Sequence, residues 1–121
     1  MTFDEIIKKY GMKDAAFLCH VENGETEEML AYCASADGAA GQFDDKRYFQ
    51  IFGRFVFLKI YTDYDNESDV YIHNADITKC EDGSYEINGM CGYMRFIAHE
   101  DLQVKDLSFN EFKEIVDSIP D

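Results

Sequence analysis

Four carboxylates stand at every second position of one short segment, at Asp63, Asp65, Glu67 and Asp69. Carboxylates at this spacing bind calcium in the first half of an EF-hand loop. A complete loop also needs a glycine and a later glutamate at positions where this chain has Ser68 and Asn74. The segment therefore fails as an EF-hand. A solvated hairpin tip is the favoured interpretation and a weak cation site is the alternative, and we expect no metal and no other cofactor.

The histidines and cysteines do not form a pattern typical of catalysis or metal binding. The chain has no H-x-H, H-E-x-x-H or C-x-x-C motif, no glycine-rich phosphate loop and no G-x-S-x-G. Cys19, His20, His73 and Asp76 are the residue types of a Cys-His-Asp arrangement. Neighbours along a strand point to opposite faces, however, which separates Cys19 from His20. We therefore expect a protein that is not an enzyme and has no catalytic residues.

The four cysteines and the first residues of the chain indicate the cellular compartment of the protein. Cys19, Cys33, Cys80 and Cys91 each lie in an apolar or strand-like stretch. The opening residues MTFDEIIKKY lack the basic start and unbroken apolar stretch of a secretory signal. No stretch approaches the roughly 18 apolar residues of a membrane span. We therefore expect a cytoplasmic protein without a membrane partner, whose cysteines are reduced thiols rather than two disulfides.

Aromatic residues are dense between residues 48 and 71. They are Tyr48, Phe49, Phe52, Phe55, Phe57, Tyr61, Tyr64 and Tyr71. Rings at this density most often pack a hydrophobic core. A ligand pocket lined by the same rings is the alternative.

The formal net charge of −14 is unevenly distributed. Residues 1–60 carry −3 and residues 61–121 carry −11. The acidic segment, residues 61–86, has eight Asp or Glu residues and Lys79 as its single basic residue. Solubility is one explanation of this charge. A surface that presents carboxylates to a basic partner is the other, whereas direct binding of nucleic acid is disfavoured because phosphates repel such a surface.

Both ends of the chain have the pattern of a capped amphipathic helix. Thr2 and Glu5 have capping-box spacing, and Phe3, Ile6, Ile7 and Tyr10 follow as one apolar stripe that ends at Gly11. Ser108 and Glu111 repeat the box. The second stripe consists of Phe109, Phe112, Ile115, Val116 and Ile119, and Pro120 ends it.

Three dipeptides between the helices are typical of tight hairpin turns: Asn23-Gly24, Asp82-Gly83 and Asn88-Gly89. The last two predict a short strand at 84–87 with a two-residue turn on each side. This register places Lys79 opposite Glu86 and Ile87 opposite Met90.

The remaining strands follow from apolar runs. The run at 54–62 is apolar on both faces apart from Lys59, which is typical of a central strand covered on both sides. Further strands are predicted within 42–52 and at 69–77, with Gly53 as a bulge or turn. Residues 15–22 and 25–33 are predicted to form a hairpin, although the second arm also suits a short helix.

These patterns predict a single α+β domain over residues 1–121. It has a mainly antiparallel sheet of about five to seven strands in a hairpin meander. An N-terminal and a C-terminal helix pack on the sheet through their apolar stripes.

The function that these features favour is that of a small acidic, non-enzymatic interaction protein. It would inhibit or act as a decoy for a basic nucleic-acid-handling protein, as phage inhibitors of defence nucleases and immunity proteins against nuclease toxins do. The predicted partner-binding residues are Asp63, Asp65, Glu67, Asp69, Asp82 and Glu86. The alternative is a small-molecule-binding domain with an aromatic-lined pocket and weak enzymatic activity.

Overall fold

Both helices begin at the predicted capping boxes in the computed structural model, which describes residues 1–12, 15–34, 46–62, 69–90 and 92–118. The elements are α1 (Phe3–Tyr10), β1 (Ala15–His20), β2 (Glu25–Ala34), β3 (Lys46–Thr62), β4 (Asp69–Lys79), β5 (Tyr85–Met90), β6 (Gly92–Ala98), β7 (Gln103–Leu107) and α2 (Phe109–Ser118). In α1, the Glu5 amide donates to Thr2 Oγ1 over 3.2 Å, and the Thr2 amide donates to the Glu5 carboxylate over 3.0 Å. Ser108 and Glu111 make the same two bonds at α2.

The seven strands form one antiparallel sheet in the order β2-β1-β4-β5-β6-β3-β7. Together with the two helices they make the predicted α+β fold, and the ambiguous segment after Gly24 is the strand β2. Because β2 also pairs with β3, the pairings of six strands close into a ring, and β7 extends it beside β3. Neither α1 nor α2, at eight and ten residues, reaches the length and hydrophobicity of a membrane-spanning helix.

The long strand β3 makes this closure possible. Its first half pairs with β2 and β7, and its second half pairs with β6. Gly53 lies between the halves with φ of 149°, a backbone angle that residues other than glycine rarely adopt. A Cβ at this position would also overlap the side chain of Leu102. The two strands predicted on either side of Gly53 are therefore one continuous strand.

The β4–β5 hairpin differs from its predicted register by one residue. Lys79 lies opposite Tyr85, and Glu86 lies opposite Thr78. The reason is a three-residue loop, in which the Gly83 amide donates to the Cys80 carbonyl over 3.0 Å and Gly83 has φ of 87°. The prediction of a two-residue turn was wrong because this extra residue shifts every pair that follows.

The turn predicted at Asn88-Gly89 was also wrong, because both residues lie inside β5. Ile87 pairs with Met94 rather than with Met90, and Gly89 pairs with Gly92. Gly89 is needed for close packing, since a Cβ there would overlap the backbone oxygen of His73.

The inner face of the sheet forms the main hydrophobic core. Phe3 of α1 makes edge contacts with Phe55, Tyr85 and Phe96 at centroid distances of 4.8–6.4 Å. Tyr10 stacks on Phe49 with 4.1 Å between the ring centroids. The stripe of α1 therefore packs against this core, as predicted.

The outer face has a second, smaller core beneath α2. Phe112 is buried against Leu30 and Leu107, and its ring contacts Tyr32 and Tyr48 at 5.6 and 4.8 Å. Ile115 and Val116 are half-buried there. Phe109 is 57% exposed, so the described part of the predicted stripe is only partly covered, and Ile119 lies outside the described residues.

The second half of β3 was predicted to be covered on both faces, which was wrong. Phe55 points into the core, but Leu58 and Tyr61 are 51% and 58% exposed on the outer face. Ile97 of β6 and Met90 of β5 are also exposed, at 48% and 60%. We call these four residues the apolar strip.

Candidate partner-binding surface

Three of the six predicted partner-binding residues, Asp69, Asp82 and Glu86, lie in the described part of the chain. Asp63, Asp65 and Glu67 lie outside the described residues. Asp69 is the first residue of β4, where its backbone pairs with that of His20. Asp82 and Glu86 lie in and just after the turn that follows β4, and a strand of eleven residues spans roughly 33 Å. The structure therefore brings Asp82 and Glu86 together and separates them from Asp69.

The carboxylate of Asp82 is held by its own turn and by β6. Its Oδ1 accepts hydrogen bonds from the Ser84 hydroxyl at 2.6 Å and the Ser84 amide at 3.0 Å. Its Oδ2 accepts from Arg95 Nη2 at 2.7 Å. The two bonds from Ser84, together with the charge of Arg95, lower the pKa of Asp82. This carboxylate is already paired within the chain, although about half of the Asp82 side chain is exposed.

Glu86 is half-buried beside the same arginine. Its Oε1 accepts from the Tyr93 hydroxyl at 2.7 Å, and this hydrogen bond raises the pKa of Tyr93. On the β4 side Glu86 lies opposite Thr78 rather than the predicted Lys79, and on the β6 side it lies opposite Arg95. Arg95 lies nine residues further along the chain, so only strand pairing reveals that the residue bound to Asp82 also lies opposite Glu86.

The single cation of the acidic segment is also engaged. Lys79 Nζ lies 2.7 Å from Asp4 Oδ2 of α1, and this hydrogen bond raises the pKa of Lys79. No other Lys or Arg occurs between residues 60 and 94. Asp76 and Glu81 of the hairpin are exposed. The outward charge of the β4–β5 hairpin is therefore negative even after its internal pairs are counted.

A second acidic region, which the sequence interpretation missed, lies around the β1–β2 turn. Its side chains line an open groove of about 840 Å³ that includes Glu22, Glu25, Glu27 and Glu28. Glu25 pairs with Arg54 of β3 at 2.5 Å, and Glu28 accepts from Gln50 at 2.9 Å. The run of glutamates was the available signal, but it had no clear meaning while this segment suited either a strand or a helix.

The residues considered for catalysis point to different faces. Cys19 is buried on the inner face, whereas His20 is exposed on the outer face, as alternation predicted. His73 lies on the outer face against the Tyr71 ring, and burial lowers its pKa. Across the described part of the chain, no three His, Cys, Asp or Glu residues are grouped as a metal site would require.

The aromatic residues do not surround a common pocket in the part of the chain that the structure describes. Phe49 and Phe55 are fully buried in the main core, and Phe57 packs against it. Tyr48 packs under α2, whereas Phe52 and Tyr61 are exposed on the outside. Tyr71 donates to or accepts from Tyr32 across 2.7 Å, and Tyr64 lies outside the described residues.

Comparisons with protein-family models, with curated proteins and with solved structures found no significant match. The charge and exposure of its surfaces therefore indicate the function of this protein. The features that stand out are the acidic hairpin, the acidic groove and the exposed apolar strip.

Proposed function

We propose that this protein is a small acidic, non-enzymatic interaction protein that inhibits or acts as a decoy for a basic nucleic-acid-handling protein. The observation that carries the proposal is the charge of the acidic segment. It has eight carboxylates, and its single cation, Lys79, is bound to Asp4. A defence nuclease or a nuclease toxin is the kind of target that this charge fits.

Carboxylates spaced along a strand and its turns resemble the phosphates that a nucleic-acid-binding groove receives. Lysine and arginine side chains of such a groove interact with either anion, so an acidic protein can occupy the site. Asp76, Glu81, Asp82 and Glu86 supply such anions on the described hairpin. The predicted anions at Asp63, Asp65, Glu67 and Asp69 would extend the surface at the other end of β4.

The proposal includes a cytoplasmic location, where nucleases act on nucleic acids. Cys33 and Cys80 are free cysteines, which supports a reducing compartment. Burial raises the pKa of Cys33, so that thiol is a poor nucleophile and packs as an apolar side chain.

The test is neutralisation of the predicted site at constant fold. A first pull-down from the native host, or from its phage-infected lysate, at low and high salt identifies the basic partner. The variant Asp63→Asn/Asp65→Asn/Glu67→Gln/Asp69→Asn is then compared with wild type in association kinetics over a range of salt. We expect slower association and a flatter salt dependence, because exposed charges act mainly on the association rate.

A matched control removes the same charge elsewhere. Glu100, Asp101, Glu114 and Asp117 are exposed outside the acidic segment, so their amide variants change the net charge equally. If both quadruple variants slow association equally, only net charge matters. If the first variant associates at the wild-type rate at every salt concentration, the acidic segment is not the binding surface.

A further inference from the structure

The apolar strip lies on an outer sheet face that no element covers in the described part of the chain. The register places Val56 opposite Ile97 and Tyr61 opposite Tyr93, so β3 and β6 present these side chains to one side. Met90 lies on the same face of β5 as Asn88, which pairs with Tyr93. Tyr61, Met90 and Ile97 therefore lie on one face of three neighbouring strands, and Leu58 is exposed at the irregularity of β3 beside them. The paired residues Lys59 and Arg95 lie between Ile97 and Tyr61 on this face.

We propose that the exposed apolar side chains of this strip anchor the basic partner, while the carboxylates of the β4–β5 hairpin, which lie among and beside them, supply the charged contacts of the same interface. The inference rests on the proposed function and adds the chemistry of the contact. The partner would present apolar side chains next to its lysines and arginines. Interfaces commonly combine an apolar centre, which carries most of the binding energy, with a polar rim that steers approach.

Charge complementarity is the argument for a basic occupant. Rows across the face place Asp76 in line with Asn88 and Tyr93, and Glu86 in line with Arg95 and Lys59. Asp82 neutralises Arg95, and Lys59 Nζ lies 5.9 Å from the centre of the Tyr93 ring. With Glu81 and Asp82 included, acidic residues outnumber basic ones on and beside this face.

A second copy of the chain is a poorer occupant for the same reason. Each copy has a net charge of −14, and stacking two of these faces would bring two acidic hairpins together. A basic protein instead relieves the repulsion among the carboxylates as it covers the apolar side chains.

The experiment uses two synthetic peptides of equal length and equal positive charge. One has tryptophan and leucine between its lysines and arginines, and the other has serine and glycine at those positions. We expect the apolar basic peptide to bind the full-length protein at least about tenfold more tightly. We also expect that binding of this peptide changes the backbone-amide chemical shifts of the protein mainly in β3, β5 and β6.

Variants of the protein test whether the apolar strip causes the tighter binding of the apolar basic peptide. Leu58→Ser/Ile97→Ser should remove the tenfold preference with the thermal midpoint unchanged, since both side chains are exposed. Phe109→Ser is the matched control, because Phe109 is equally exposed but lies on α2, and it should keep the preference. Lys59→Glu should tighten binding of both peptides, because it replaces a positive charge on this face, which Asp82 does not neutralise, with a negative one.

Each contrary result has a definite meaning. Equal, salt-dependent binding of the two peptides would overturn the apolar anchor and leave the acidic binding surface standing. Absence of binding by either peptide at low salt would overturn both proposals. Concentration-dependent dimerisation that disappears in Leu58→Ser/Ile97→Ser, measured by analytical ultracentrifugation, would show that a second copy covers the strip and would also overturn the proposal.

Discussion

The outer face of the sheet has two apolar regions, of which one is covered by α2 and the other is exposed. Under α2, the side chains of Leu30, Tyr32, Tyr48 and Leu107 are covered by Phe112. In the apolar strip, Leu58, Tyr61, Met90 and Ile97 are about half exposed. The comparison shows that the amount of apolar surface on a strand does not determine whether it is buried within the chain. The position of a covering helix does.

The largest expected effect breaks the covered region. Phe112→Ala removes a ring that contacts Tyr32 and Tyr48, and it should lower the free energy of unfolding by about 3 kcal/mol. Urea unfolding of both proteins measures it. Phe109→Ala, on the same helix but exposed, is the control and should cost under about 1 kcal/mol. Equal costs for the two variants would mean that α2 does not dock through Phe112.

A smaller effect is expected at the border between the apolar strip and the acidic hairpin. Tyr93→Phe removes the hydroxyl that donates to Glu86 and should cost about 0.5–1 kcal/mol. A double-mutant cycle with Glu86→Gln isolates this bond. A coupling energy near zero would show that Glu86 is available to a partner without losing an internal contact.

The Asp82 contact should appear in the pH dependence of stability. Its folded-state pKa is lowered by Ser84 and Arg95, so the contact stabilises above the unfolded-state value of about 3.9. The stabilisation is lost as the pH falls through the lowered folded-state value. The difference in thermal midpoint between wild type and Asp82→Asn should therefore be full above about pH 5 and shrink in more acidic buffer.

The control for this pH series is Glu81→Gln, which removes one charge from the same turn without touching Ser84 or Arg95. The difference between the two variants reports the Ser84 and Arg95 contacts alone. A difference between wild type and Asp82→Asn that does not change with pH would contradict the prediction.

The smallest expected effect concerns the apolar strip. Leu58→Ser and Ile97→Ser should each change the free energy of unfolding by no more than about 0.5 kcal/mol, because about half of each side chain is exposed in the folded chain. Comparing these losses in free energy of unfolding with that of Phe112→Ala measures the difference between the exposed and the covered region. Losses of about 2 kcal/mol or more would show that the strip is covered in solution.

Local patterns predicted the elements well because their causes are local. Two capping boxes placed the helix starts, and alternation correctly separated Cys19 from His20. The contacts within the candidate site were harder to predict from the sequence. Asp82 and Glu86 were identified as neighbours in sequence, but Arg95, which bonds Asp82 and lies opposite Glu86, was not, because it comes from the next strand. Asp69 was grouped with them, although β4 places it at the other end.

The sequence by itself determined the α+β class, the two capped helices and the concentration of negative charge, since these depend on residue types and short spacings. Tertiary structure decided the register, the closure of the ring through β3 and the exposure of the apolar strip. One additional residue in a turn reverses which side chains face each other, and a helix can cover only one part of a curved sheet. Pairing and coverage are non-local choices, so the pattern of a single strand cannot specify them.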